Sequence, residues 1–249
     1  MKARIKFKKY GALRFIGHLD VMRYFQKVMR RAQIPIAFTE GYSPHMIMSF
    51  ASPLGIGLTS EGEYFDIELT EPIESEKAVR QMNEVGVDGI EVISFRQIAE
   101  EKKATGMAIV AAADYLVGLR KGQFPDNLNE LLESFIGQEQ IEVLKQTKRS
   151  EKIVDIRPMI YHMEVKEDGT KHFEELTDVR VIALQLAAGS VENLKPDLVM
   201  AAFLKSAGIG DMDVTCAYHR MEMYANTAED GQPRNLVSLE NLGKEIVGK

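Results

Sequence analysis

The order in which the apolar periodicity changes along the chain constrains its fold most. Over 3–8, Ile5 and Phe7 alternate with basic residues, the period of two that marks a strand. From 18 to 32 the spacing becomes that of a helix, and a short strand is read near 36–38. The segment 40–53 carries Gly41, Pro44 and Pro53 among serines and reads mostly as loop, with a short strand at 47–51. A strand over 63–69, a helix over 75–85 and a strand over 90–98 complete the order β-α-β-β-α-β.

The second half repeats that order. A strand over 108–118 precedes a helix over 126–137, introduced by Pro125 and Asp126. A strand at 140–146, a polar segment at 147–157 and a hairpin within 158–187 follow. The helix over 196–207 has Pro196 in its first turn and Gly208 after its end, as helix termini favour. A last strand is read over 213–224. The two halves meet at a charged stretch ending in glycine, 100–106. We therefore expect an α+β chain of two tandem ferredoxin-like (βαββαβ) units: 1–103, carrying a basic helix, and 104–249, carrying an insertion.

Composition narrows the function classes. Apolar residues at 45% with 27% charged residues describe an ordinary globular protein. No run approaches the roughly 20 apolar residues of a membrane span. The start, MKARIKFKKYG, lacks the apolar core of a secretory signal, so a cytoplasmic chain intact from Met1 is expected. The single cysteine, Cys216, excludes a disulfide framework and a self-contained iron–sulfur cluster. The histidines at 18, 45, 162, 172 and 219 show no i, i+4 pair, and no metal or other cofactor is expected. The glycines of 55–62 lack the Gly-Lys-Ser/Thr ending of a P-loop. Those of Gly208-Ile209-Gly210-Asp211 follow a helix and read as its end.

Charge is distributed unevenly. The first 31 residues hold ten Lys or Arg against one acid, Asp20, a formal +9 in a chain of −6 that leaves the other 218 residues at −15. In the first strand Lys2, Arg4, Lys6 and Lys8 share the face opposite Ile5 and Phe7. In the helix, Leu19, Val21, Met22, Phe25, Val28, Met29 and Ala32 form an apolar stripe. Asp20, Arg23, Tyr24, Lys27, Arg30 and Arg31 fall on the other side. Cations spaced along one side can follow a phosphate backbone, and Tyr24 can stack on a base. With Arg14, these residues are the expected RNA-binding surface. An acidic protein partner fits the same charge.

Two histidines suggest chemistry. His18 stands at the helix start after Gly17, and His45 closes the turn Glu40-Gly41-Tyr42-Ser43-Pro44-His45. Brought together beside Arg14 and Arg23, they would form a metal-free site for phosphodiester cleavage. One imidazole would act as base, the other as acid, and a guanidinium would stabilise charge at phosphorus.

The runs Arg14-Phe15-Ile16-Gly17-His18-Leu19-Asp20-Val21-Met22-Arg23, Arg30-Arg31-Ala32, Glu40-Gly41-Tyr42-Ser43-Pro44-His45 and Ser49-Phe50-Ala51-Ser52-Pro53-Leu54-Gly55 resemble the radical-SAM-linked protein family. That is a bacterial domain family of unknown function, found beside radical SAM proteins or fused to them. It is often encoded near ribonuclease G and ribosomal protein genes. The resemblance implies an accessory role in RNA or translation-related chemistry, with a radical SAM protein as partner. Its recurring positions fall here on Arg14, Gly17, His18, Asp20, Arg23, Gly41, Pro44, His45 and Ser49, while Ser43 stands where the family has asparagine. Lacking the cysteine triad, the chain is not itself the radical SAM enzyme. More distantly, the expected architecture is similar to CRISPR repeat-processing endoribonucleases.

Three functions follow as expectations. The first is a non-catalytic RNA-binding or substrate-presenting module, with contacts from Glu40, Gly41, Tyr42, Ser43, Pro44 and Ser49. The second is an endoribonuclease using His18 and His45. The third is a protein-interaction subunit.

Overall fold

A computed structural model describes residues 1–101, 104–146, 151–210 and 213–248. Strand β1 (Lys2–Lys9) leads through a short 3-10 helix, Gly11–Phe15, into α1 (His18–Arg31). Then come β2 (Met48–Phe50), β3 (Thr59–Glu68), α2 (Ser75–Glu84), β4 (Ile90–Ile98) and a single helical turn, α3 (Gly106–Ile109). The chain continues through β5 (Val110–Lys121), α4 (Leu128–Ile136), a hairpin of β6 (Glu142–Gln146) and β7 (Glu151–Asp155), β8 (Ile160–Lys166), β9 (Val181–Ala187) and α5 (Pro196–Ser206). It closes with β10 (Thr215–Asn226), β11 (Leu236–Ser238) and β12 (Lys244–Glu245). This is an α+β fold. Among the described residues no helix is long and apolar enough to cross a membrane.

Two compact units emerge: Met1–Ala112 with Met221–Lys249, and Ala113–Arg220. In the first, the sheet order is β4-β1-β3-β2 with every neighbour antiparallel. Ala3, Ile5 and Phe7 of β1 face the helices together with Phe65 and Ile67 of β3, Val92 and Phe95 of β4, Val21, Phe25, Val28 and Met29 of α1, and Ala78 and Met82 of α2. Phe25 centres this core, with its ring 4.7 Å from Phe7 and 4.5 Å from Phe65. Each such pair adds about 0.5–1.5 kcal/mol beyond the area it buries. Helix α1 stops where Gln33 takes a left-handed φ of 54° and Ile34 N–H reaches back to Met29 O at 3.0 Å. Such reversals usually employ glycine.

The end of the chain belongs to this unit. Strand β12 pairs with β4, β11 pairs with β10, and Ile246 exchanges hydrogen bonds with Ser75 at the start of α2. Gly62, inside β3, allows close strand contact there: a Cβ would lie 2.7 Å from Glu222 Cα.

In the second unit the order is β10-β5-β9-β8, while β6 and β7 form a separate two-stranded sheet. Phe135 of α4 meets Phe203 of α5 at 5.5 Å, edge to face. Asp178 ties the loop after β5 to the start of β9, accepting from Phe124 N–H and from the Arg180 guanidinium. Burial alone would raise its carboxyl, but these hydrogen bonds outweigh that and hold it below the usual aspartate value.

The structure departs from the sequence reading in particular places. The expected strand at 36–38 is two isolated bridges, Ile36 to Leu69 and Phe38 to Met46, because Pro35 before it has no N–H to donate. Leu19, assigned to the apolar stripe, is 59% exposed in the first turn of α1. Within the expected linker, Ala104 O and Gly106 N–H are hydrogen-bonded to Arg4 and Asp66, so this stretch is packed against the sheet. Residues 102–103 of that linker, 147–150 of the polar segment and Asp211 lie outside the described residues.

Candidate nucleic-acid interface

The cations of β1 are committed to the protein itself. Arg4 is 2% exposed and grips Asp66 with two hydrogen bonds, 2.8 and 3.0 Å, while giving others to Leu239 O and Ala104 O. Lys6 sits between Glu222 at 2.7 Å and Glu240 at 3.0 Å. Lys2 donates to Glu100 O and lies 3.9 Å from Glu68, and Lys8 is 3.9 Å from Glu91. The expected basic sheet face is corrected at Arg4 and Lys6. Arg4 is neutralised by Asp66 on the adjacent strand β3, and Lys6 by Glu222 of β10 and by Glu240, both far along the chain, and Arg4 is closed off from any phosphate.

Electrostatics around Lys6 follow from that packing. Burial favours its neutral form, but the hydrogen bonds and charges of Glu222 and Glu240 prevail and raise the ammonium above its ordinary value. Burial likewise pushes Glu240 up, and the hydrogen bonds from Lys6 and Ser94 with the charges of Lys6 and Arg96 bring it below the glutamate range. Tyr64 hydrogen-bonds Glu222 at 2.6 Å, and burial beside that carboxylate drives its phenol far above the usual value.

Helix α1 presents the opposite situation. Arg23, Lys27, Arg30 and Arg31 are all exposed, since the 3.6-residue period turns them away from the buried Val21, Phe25, Val28 and Met29. Arg23 makes one loose contact, 3.5 Å to Asp20. Among the described residues Lys27, Arg30 and Arg31 form no ion pair. Tyr24 is corrected from the outward face. It is half-buried, its ring lies 5.1 Å from that of Phe25, and its hydroxyl accepts from Val87 N–H at 3.3 Å.

Aromatic and apolar groups surround the start of this helix. Phe15 is 58% exposed with the Arg14 guanidinium 4.7 Å over its ring. Gly57 N–H donates to Arg14 O at 2.7 Å, which brings the exposed Ile56 beside Gly17. Glu40, Gly41, Tyr42, Ser43, Pro44 and His45 form an exposed loop with the Tyr42 ring fully in solvent. Thr39 clasps this loop: its hydroxyl accepts from His45 N–H and contacts His45 Nδ1, each at 3.1 Å. Ser49 is half-buried in β2 opposite Asp66 and is not part of the loop.

His18 occupies a different place. It lines a small enclosed pocket with Lys9, Glu63, Phe50, Pro53 and Leu54, its ring 5.1 Å edge-on to Phe50. No hydrogen bond or ring contact among the described residues joins it to His45. Lys9 and Glu63, 2% and 4% exposed, are the polar residues that sequence reasoning missed. Their signal was available: Lys9 continues the inward phase of Ala3, Ile5 and Phe7, and Glu63 that of Phe65 and Ile67. Lys9 Nζ donates to Ile16 O at 3.0 Å, fixing the approach to α1.

Two of the motif stretches converge on this unit's helix start. Arg14 to Arg23 supplies the entry to α1, and Ser49 to Gly55 supplies the wall of the His18 pocket. A family model described as an uncharacterized protein conserved in bacteria (DUF2344) matches residues 2–196. No curated protein matches the chain.

Proposed function

The chain belongs to the DUF2344 family, the radical-SAM-linked family of bacteria, and from this premise we propose that it is an RNA-binding accessory that presents RNA to a radical SAM partner. The observation that carries the reading is the row of exposed Arg23, Lys27, Arg30 and Arg31 along α1. An RNA strand placed there meets four exposed cations, three of them outside any ion pair among the described residues, with Phe15 and Tyr42 offering faces for unstacked bases. The scaffold is read as two tandem ferredoxin-like units, expected over 1–103 and 104–249, with Met221–Lys249 counted in the first compact unit. The orders β4-β1-β3-β2 and β10-β5-β9-β8 support that reading.

A protein-docking role at the same end has its own support. Phe15, Leu19 and Ile56 are large, apolar and exposed, next to the basic helix. In the combined reading α1 holds the nucleic acid and this apolar cluster meets the partner enzyme. For catalysis by His18 with His45, no contact among the described residues joins the two imidazoles.

The test is a titration of the purified chain with a tRNA pool from low to physiological salt, with the same samples run on a gel. Binding whose logarithm falls steeply and linearly with the logarithm of salt concentration, with intact RNA, is the expected result. No binding at low salt would remove the RNA reading and leave the docking surface.

A further inference from the structure

Sequence spacing gave no reason to expect a metal, yet the fold brings two histidines together across 47 residues of the second unit. His219, on β10, is 4% exposed. Its ring centre lies 5.2 Å from that of His172, with the planes tilted by 32°. Their ligand nitrogens lie within 4.8 Å of one another. We propose that His172 and His219 bind a divalent first-row transition-metal ion through one imidazole nitrogen each.

Position and chemistry both favour this. His172 ends the 3-10 helix Gly169–His172, which is anchored by a close approach: a Cβ on Gly169 would fall on the Val181 side chain and 3.6 Å from Leu116. The turn is therefore held tightly against β5 and β9, and Phe173 N–H closes it on Thr170 O at 3.0 Å. The Phe173 ring lies 6.0 Å from that of His219, adding an apolar wall that limits water. A metal–imidazole bond is about 2.0–2.1 Å, so two rings on one tetrahedral ion have nitrogens roughly 3.3 Å apart. Reaching that spacing calls for a turn of the ring of His172, the half-buried partner. Imidazole suits zinc, copper, cobalt and nickel, and two protein ligands leave coordination positions for water or a substrate.

The experiment uses the full chain and Co2+ as probe. Equilibrium dialysis with metal analysis gives stoichiometry, and visible absorption reports nitrogen ligation. One Co2+ per chain, displaced by Zn2+ and lost as pH falls and protons compete for imidazole, is expected. His172→Ala should abolish that binding, and His162→Ala, at an exposed histidine on β8, should leave it intact. NMR of the unaltered chain supplies a readout that needs no variant: Zn2+ should move the ring signals of His172 and His219 and spare His18 and His45. No stoichiometric binding, binding indifferent to His172→Ala, or equal shifts at all five histidines would overturn the proposal.

Discussion

Strand β1 and helix α1 carry the same sign of charge, lie within 31 residues of each other and treat that charge in opposite ways. On β1, the guanidinium of Arg4 and the ammonium of Lys6 are drawn into the protein and matched by Asp66, Glu222 and Glu240. On α1, Arg23, Lys27, Arg30 and Arg31 stay in solvent. The difference comes from what surrounds each element. The face of β1 that bears cations is covered by the end of the chain, including Leu239 and Glu240, whereas α1 covers only one side of the sheet and leaves its other side open. A local charge excess therefore says nothing of availability until the partners are known.

The largest effect that can break this comparison is at Arg4. Arg4→Ala leaves the Asp66 carboxylate buried without its ion pair and should cost about 3–5 kcal/mol in urea denaturation. A cost below 1 kcal/mol would show that β1 does not depend on its cation. The double variant Arg4→Met with Asp66→Leu should recover only part of the loss. It also strands Gly106 N–H, Ala104 O and Leu239 O, which those side chains now satisfy.

The next effect is a pH window. Glu240 is depressed in the fold, so its contribution is present above the ordinary value of 4.5 and is lost as pH falls through the folded one. Lys6 is raised, so its contribution is complete below the ordinary value of 10.5 and is lost as pH rises through the folded one. Melting temperature should therefore decline on both sides of a plateau. Glu240→Gln should flatten the acid limb and Lys6→Met the alkaline limb. If either variant keeps its full slope, the cluster is not what titrates.

Smaller effects belong to α1. Tyr24→Phe removes the acceptor for Val87 N–H, at a partly exposed site, and should cost about 0.5–1.5 kcal/mol. Lys27→Ala should change stability by no more than about 0.5 kcal/mol, as an exposed side chain away from packed features does. A larger cost would give Lys27 the same structural employment as Arg4.

Much of this architecture was legible. Alternation exposed β1, strands were read where β3 and β4 lie, the helical period set α1 and its buried face, and Pro196 and Gly208 bracketed α5. The sequence reading failed where partners lie far apart along the chain. Arg4 meets Asp66 across 62 residues, Lys6 meets Glu222 and Glu240 across 216 and 234, and Tyr24 meets Val87 across 63. No periodicity carries such information. Strands β11 and β12, three and two residues long, are too short to show a period at all. Lys9 and Glu63 were readable as charges in an apolar phase, and the pocket around His18 turned out to be theirs, not that of His45.

The most direct measurement is the salt dependence of tRNA-pool binding by fluorescence anisotropy, for the unaltered chain and for Arg23→Glu with Arg30→Glu. The unfolding free energies of the two proteins should agree to within about 0.5 kcal/mol. The variant should bind more weakly, with a log–log salt slope shallower by roughly 1.5, the loss of two phosphate contacts. Equal affinity and equal slope in the two proteins would contradict the claim that the open cations of α1 are the ones that meet nucleic acid.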